Sequence, residues 1–204
     1  MIMSGLSTET HPLEPWLPAN AGLLMCGTFP PKKERWTMEF YYPNFINDMW
    51  RIFGIILHGD RNWFVDMANH TFRLDAIKSM LLDLGIALSD TGREIYRERD
   101  NASDKYLQII SPIDLGETLS HIPLCRAIAT TGEKAASIVA TATGTEVPKT
   151  GDCVEIPAGR IKGVNRTMMH YRMPSSSRAY PLKIEKKACF YEKMLIETGI
   201  INNK

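Results

Sequence analysis

Leu23-Leu24-Met25-Cys26-Gly27-Thr28-Phe29-Pro30-Pro31, then a basic loop, Phe40-Tyr41-Tyr42, Asn47 and Trp50: the reading of this stretch decides the fold. Four apolar residues make a short strand, and Gly27 with the two prolines ends it in a tight turn. A strand that stops at Gly-x-x-Pro and exposes a loop is how open α/β sheets present a binding crevice at the carboxyl ends of their strands. Residues 32–39 form a loop over the turn. From about Asn44 a helix is predicted to run to Leu57, with Trp50, Phe53 and Leu57 on its buried face. Flat aromatic rings beside the uncharged amide of Asn47 suit a flat heterocycle that is stacked and read by hydrogen bonds.

Outward from there, strand and helix alternate. A helix over about 72–84 carries Leu74, Ile77, Leu81 and Leu84 on one stripe and stops at Gly85. Ile86-Ala87-Leu88-Ser89 reads as a buried strand, and Asp90 opens a long polar loop to residue 106, functional or mobile by its length. Cys125–Thr130 is the third strand, followed by a helix from Gly132. Residues 141–166 are irregular, with a hairpin around Cys153–Ile156 and Gly159–Gly163. Thr167–Arg172 is the fourth strand and delivers Met173-Pro174-Ser175-Ser176-Ser177. A last helix from Ala179 turns Ile184, Ala188, Tyr191 and Leu195 inward, with Lys183, Lys186 and Lys187 on its surface. The expected architecture is a three-layer α/β/α sandwich around a central four-stranded, mainly parallel sheet. Residues 1–20, polar and marked by Pro12, Pro15 and Pro18, read as an N-terminal arm; 21–204 read as a single domain.

With 204 residues the chain can bury one good core, and its formal charge of +1 gives no overall basic field. Any contact with nucleic acid must come from local clusters, for which Lys32, Lys33, Arg35, Arg178, Lys183, Lys186 and Lys187 are candidates. Cys26, Cys125, Cys153 and Cys189 lie far apart with no C-x-x-C pair, which argues against a zinc ribbon or an iron–sulfur cluster. Cys26, Cys125 and Cys189 sit in apolar contexts and read as reduced core residues. No secretory signal and no membrane-length apolar run is visible, so a cytoplasmic protein without metal or cofactor is expected.

Gly27-Thr28-Phe29-Pro30-Pro31, followed by Phe40-Tyr41-Tyr42, Asn47 and Trp50, resembles the first motif of the uracil-DNA glycosylase superfamily. The likeness is closest to the hypoxanthine-DNA glycosylase and mismatch-specific uracil glycosylase branches. Met173-Pro174-Ser175-Ser176-Ser177 is similar to the second superfamily motif, and the resemblance spans roughly residues 20 to 195. It implies a uracil-DNA glycosylase-like fold and a monofunctional glycosylase that removes deaminated bases, hypoxanthine, xanthine or uracil, in base excision repair. The implied partner is duplex or single-stranded DNA, bound by a monomer through base flipping.

The resemblance also implies roles. Tyr42 aligns with the base-stacking aromatic, and Phe29 and Phe40 are second walls or, for Phe40, core. Gly27, Thr28 and Pro30 complete the base-binding turn. The mismatch-specific branch has a water-positioning Asn where this chain has Phe29; the hypoxanthine branch lacks it and uses the Asn that Asn47 matches. An amide can orient water or hold a base edge, and an Asn also commonly begins a helix. Asp48 is either a helix-terminus carboxylate or a water-activating group, and Asp90 is the other carboxylate able to face the crevice. Pro174, Ser175, Ser176 and Ser177 open a helix and grip a backbone phosphate. Arg178 lies where the family inserts a wedge, with a phosphate contact or a plain surface role as competing readings. Met173 stands where efficient uracil enzymes carry His, and His170 reads as structural. Two rivals remain open: a damage-binding protein of the same fold with weak or lost catalysis, and an unrelated small-molecule α/β enzyme. Zinc base deaminases are disfavoured, since their His-x-Glu and Pro-Cys-x-x-Cys signatures are absent.

Overall fold

A computed structural model describes residues 8–98 and 106–203. In chain order the elements are β1 (Thr8–Thr10), β2 (Leu23–Gly27), α1 (Met49–His58), β3 (Val65–Asp66), β4 (Thr71–Phe72), α2 (Leu74–Leu84) and β5 (Ile86–Asp90). Then come β6 (Gly92–Arg97), β7 (Leu107–Pro112), α3 (Leu115–Ser120), β8 (Ala127–Thr131), α4 (Glu133–Thr143), β9 (Cys153–Ile156), β10 (Met168–Met173) and α5 (Ile184–Glu197).

The central sheet has five strands, not four, in the order β5-β2-β8-β10-β9. The four expected strands run parallel; the fifth, β9, pairs antiparallel with β10 on the edge. β9 was expected in a hairpin with Gly159–Gly163, but Cys153 pairs with Tyr171 of β10 instead. Alternation along β2 shows how the layers form. Leu23 and Met25 enter one core with Trp50, Phe53, Ile77, Leu81, Tyr191 and Leu195, from α1, α2 and α5. Leu24 and Cys26 enter the other with Leu115, Leu119 and Val139, from α3 and α4. The sheet is thus covered on both faces, as its continuous apolar strands require.

The chain leaves β2 for β5 on one side and later returns to β8 on the other. The order therefore reverses beside β2, where open α/β sheets place their ligands. Gly27, Asp90, Thr131 and Met173 end the four parallel strands at that edge.

Three expectations are corrected. The polar stretch from Asp90 is not a loop throughout: β6 and β7 form a three-stranded antiparallel sheet with β1, and positions 99–105 lie outside the described residues. α1 begins at Met49 rather than Asn44, and α5 at Ile184 rather than Ala179, so Asn47 and Ser175–Ser177 lie on turns ahead of their helices. Cys189 is exposed, unlike Cys26 and Cys125. The N-terminal segment packs on the body: β1 pairs with β6, and Trp16 exchanges backbone hydrogen bonds with Leu88.

Candidate active site

The loops after β2 and β10 meet. Between them opens a cleft of about 560 Å³ lined by Gly27–Pro31, Tyr41–Asn44, Ile46, Asn47, Asp90, Thr131 and Ser175–Pro181, with Leu13 and Arg35 at its margin. The two motifs, more than a hundred residues apart in sequence, therefore share one opening.

The first wall follows from strand register. Gly27 lies beside Asp90 in the parallel β2–β5 pair. A Cβ on Gly27 would fall on Asp90 Oδ1 and within 3.6 Å of the Tyr42 hydroxyl. Glycine here is a matter of space: its missing methyl is what admits the carboxylate. Asp90 is buried, its Oδ2 2.9 Å from His11 Nε2. Among the described residues lining the cleft it is the one carboxylate.

Tyr42 has a φ of 52°, in the left-handed region that non-glycine residues rarely adopt. That turn brings Tyr42 to the cleft, with its ring still packed against the aromatic core. Trp50 meets the ring edge-on, and the hydroxyl lies 3.3 Å from Thr131 Oγ1. Burial, then the nearby Asp90 carboxylate, pushes the phenol pKa up, so the ring presents a neutral face. Phe29 also lines the cleft, edge-on to His11. Phe40 does not: it is 6 % exposed and packs against Trp16, Tyr41 and Trp50. Its base-stacking role is withdrawn, because its ring is enclosed by Trp16, Tyr41 and Trp50, away from the cleft that Tyr41 and Tyr42 line.

Asn47 lines the cleft from a turn ahead of α1. Its Oδ1 accepts from Met49 N–H at 2.9 Å, leaving the side-chain NH₂ as the group available to a ligand. Arg51 braces that turn from below, donating to the Phe45 and Asn47 carbonyls at 2.7 and 3.2 Å. Helix entry and ligand contact are compatible here, since the helix entry occupies only the oxygen end of the amide.

Asp48 corrects the expectation of a water-activating group. It is 4 % exposed and does not line the cleft. Arg178 Nε and Nη2 reach its Oδ1 at 3.2 and 3.0 Å, and Lys187 Nζ reaches Oδ2 at 3.0 Å. Lys187, expected on the surface, is wholly buried and also donates to Ser177 O at 2.7 Å. Asp48 N–H donates to Ser176 O at 2.9 Å. This cluster fastens the loop after β2 to the loop after β10.

The serines do not cap α5, whose N-cap is Lys183 with no side-chain bond. Ser175 Oγ accepts from Ser177 N–H and Ser177 Oγ from Ala179 N–H, so they turn the chain along the cleft. Ser176 is buried while Ser177 and Arg178 are exposed. Pro174 stands behind the cleft, its carbonyl accepting from the buried Tyr191 hydroxyl at 2.9 Å. The Arg178 guanidinium side chain is half exposed, and its residue lines the opening. His170 is structural in placement: wholly buried, 3.0 Å from Thr130 Oγ1, with burial lowering its pKa to about 4.

Sequence reasoning missed His11, Leu13, Thr131 and Ile46. Thr131 was legible in principle, being the end of a third parallel strand. Ile46, 54 % exposed on the rim, carries no signal beyond its neighbours. Among the described residues, no group of three His, Cys, Asp or Glu side chains is placed to hold a metal ion.

No protein-family model matches the chain, and no curated protein matches it. A solved structure does: the solution NMR structure of a Methanosarcina acetivorans protein provisionally described as a uracil DNA glycosylase. The identity is 20 %, with a TM-score of 0.61, over 95 % of this chain and 99 % of that one. The chain, with its mainly parallel sheet, therefore shares the mixed α/β fold of that protein over nearly all of its length.

Proposed function

We propose that the protein is a monofunctional DNA glycosylase that excises deaminated bases, hypoxanthine, xanthine or uracil, as a cytoplasmic monomer acting in base excision repair. The observation that carries this reading is the single cleft in which Tyr42, Phe29, Asn47 and Asp90 face the Ser175–Arg178 loop. The solved neighbour of the same fold, described as a uracil DNA glycosylase, supports it.

Each requirement of base removal has a group. An extruded base needs a flat wall, which Tyr42 supplies, and an edge partner, which the Asn47 NH₂ supplies as a donor to a base carbonyl or to water oxygen. In the reaction the N-glycosidic bond breaks with its electron pair leaving on the base, while water forms a new bond to C1′ and gives up a proton. Asp90, the carboxylate in the cleft lining, takes that proton and opposes the positive charge on the sugar in this reading. The Ser175–Arg178 loop supplies hydroxyl and guanidinium donors for phosphate. A lyase step needs an amine nucleophile, and among the described residues lining the cleft there is no Lys.

Duplex and single-stranded oligonucleotides carrying hypoxanthine, xanthine, uracil or a G·T mismatch, scored for alkali-labile abasic sites, test this directly. Release that is lost in Asn47→Ala supports the reading. Tight lesion binding without release supports a damage-binding protein, and neither result sends the search to small-molecule substrates.

A further inference from the structure

His11 belongs to the N-terminal arm, which carries none of the motif residues, yet its imidazole packs directly behind three residues that line the cleft, Phe29, Tyr41 and Asp90. Its side chain is wholly buried, stacked on Tyr41 with ring centroids 6.1 Å apart and edge-on to Phe29 at 5.1 Å. Nε2 reaches Asp90 Oδ2 at 2.9 Å. Nδ1 is bracketed by one residue, with Leu13 O at 2.8 Å and Leu13 N at 3.1 Å. Both ring nitrogens are thus engaged, which fixes the orientation of the ring. Backbone bonds hold the arm there: His11 N–H donates to Arg93 O at 2.8 Å, next to the β1–β6 pairing.

The carboxylate is pinned equally closely. Oδ2 is held by His11, while Oδ1 lies against Gly27, where any larger residue would collide with it. One oxygen is fixed and the other is left to the cleft.

We propose that His11 is a positioning residue for Asp90: it orients the carboxylate toward the attacking water, so that the N-terminal arm completes the active site. The inference rests on the glycosylase reading above and adds to it a group outside both motifs. In the step concerned, water oxygen bonds to C1′, the glycosidic electron pair departs with the base, and the water proton passes to Asp90 Oδ1. His11 stays hydrogen-bonded to Oδ2 throughout and touches no substrate.

The test is a double-mutant cycle on single-turnover base release at saturating enzyme, with lesion-DNA affinity measured alongside. His11→Phe keeps the ring contacts and removes both nitrogens. His11→Gln keeps a donor long enough to reach Asp90, whereas His11→Asn is too short. Expected are a rate loss of about tenfold or more for His11→Phe, no change in affinity, and substantial recovery in His11→Gln over His11→Asn. In an Asp90→Asn background His11→Phe should cost little further. Equal loss in both backgrounds, a loss confined to affinity, or Gln no better than Asn overturns the pairing while leaving the glycosylase reading intact. A wild-type protein that releases no base from any oligonucleotide overturns the glycosylase reading itself. Should His11→Phe fail to fold, the Gln and Asn variants carry the same cycle.

Discussion

Asp48 and Asp90 are both buried carboxylates beside the motif loops, and their surroundings are opposite. Asp48 is saturated: two oxygens meet two cations, Arg178 and Lys187, and the backbone on either side is tied down. Asp90 is half satisfied, with one oxygen on His11 and the other at the wall of the cleft. A carboxylate that already holds all its partners has little left to offer a substrate. Burial with one unused lone-pair edge is the arrangement that leaves a base able to act. The difference teaches that proximity to a motif in sequence says less than the count of partners in space.

The strongest way to break the comparison is Asp90→Asn. The side chain remains nearly isosteric, so the fold should hold, while base release falls on the order of 10²- to 10⁴-fold, the usual worth of a positioned general base. A near-normal rate in single-turnover assays would move the chemistry elsewhere. Asp48→Asn should act on stability instead. It strands the buried Lys187 ammonium, and breaking a buried pair in this way costs about 3–5 kcal/mol. Adding Lys187→Met removes the stranded charge, so the denaturation midpoint should return toward wild type and base release with it. A double variant that is stable but inactive would make Asp48 chemical after all.

Gly27→Ala sharpens the same contrast by geometry. The added methyl falls on Asp90 Oδ1 and must displace it, with the neighbouring strand unable to yield much. Base release should drop by roughly 10²-fold, an ångström-scale misplacement. Thermal unfolding should show whether the loss is local, since a cooperative transition near that of wild type points to the carboxylate alone.

Much of this arrangement was legible in the chain and some was not, for reasons that can be named. β2 and the Gly27–Pro31 turn could be read because an apolar run ended by glycine and proline admits few alternatives. Gly85 stops α2 at a φ of 64°, as its residue type suggests. β6 was hidden because Arg93, Glu94 and Arg97 make it look solvated. Arg97 is nevertheless buried, paired to Glu9 at 2.8 Å and bonded to Pro30 O at 3.0 Å, partners that only the fold supplies. Lys187 is the more instructive miss. Its position, three residues after Ile184 and four before Tyr191, lies on the buried stripe of α5, so periodicity pointed inward while residue type pointed out. Periodicity was the better guide, since Asp48 neutralises the charge. Phe40 and Tyr42 differ only in a backbone reversal that no side-chain pattern records.

The smallest expected effect concerns Arg178, which belongs to both sides of the contrast: tied to Asp48 yet half exposed at the cleft. The Arg178 end of the pair is half exposed, and Asp48 retains Lys187 when Arg178 is removed, so Arg178→Ala should shift stability by only about 1 kcal/mol. On the glycosylase reading its effect belongs in DNA binding. If the guanidinium meets a phosphate, the slope of log affinity against log salt should become shallower by about 0.9 on duplex DNA, the contribution of one neutralised phosphate. If instead it fills the gap left by an extruded base, the slope should hold while fluorescence of a 2-aminopurine placed beside the lesion rises less on binding. The contacts to Asp48 favour the first outcome: a side chain anchored at its guanidinium end is poorly placed to insert deep into a base stack, but it can still share its outer N–H groups with a passing phosphate.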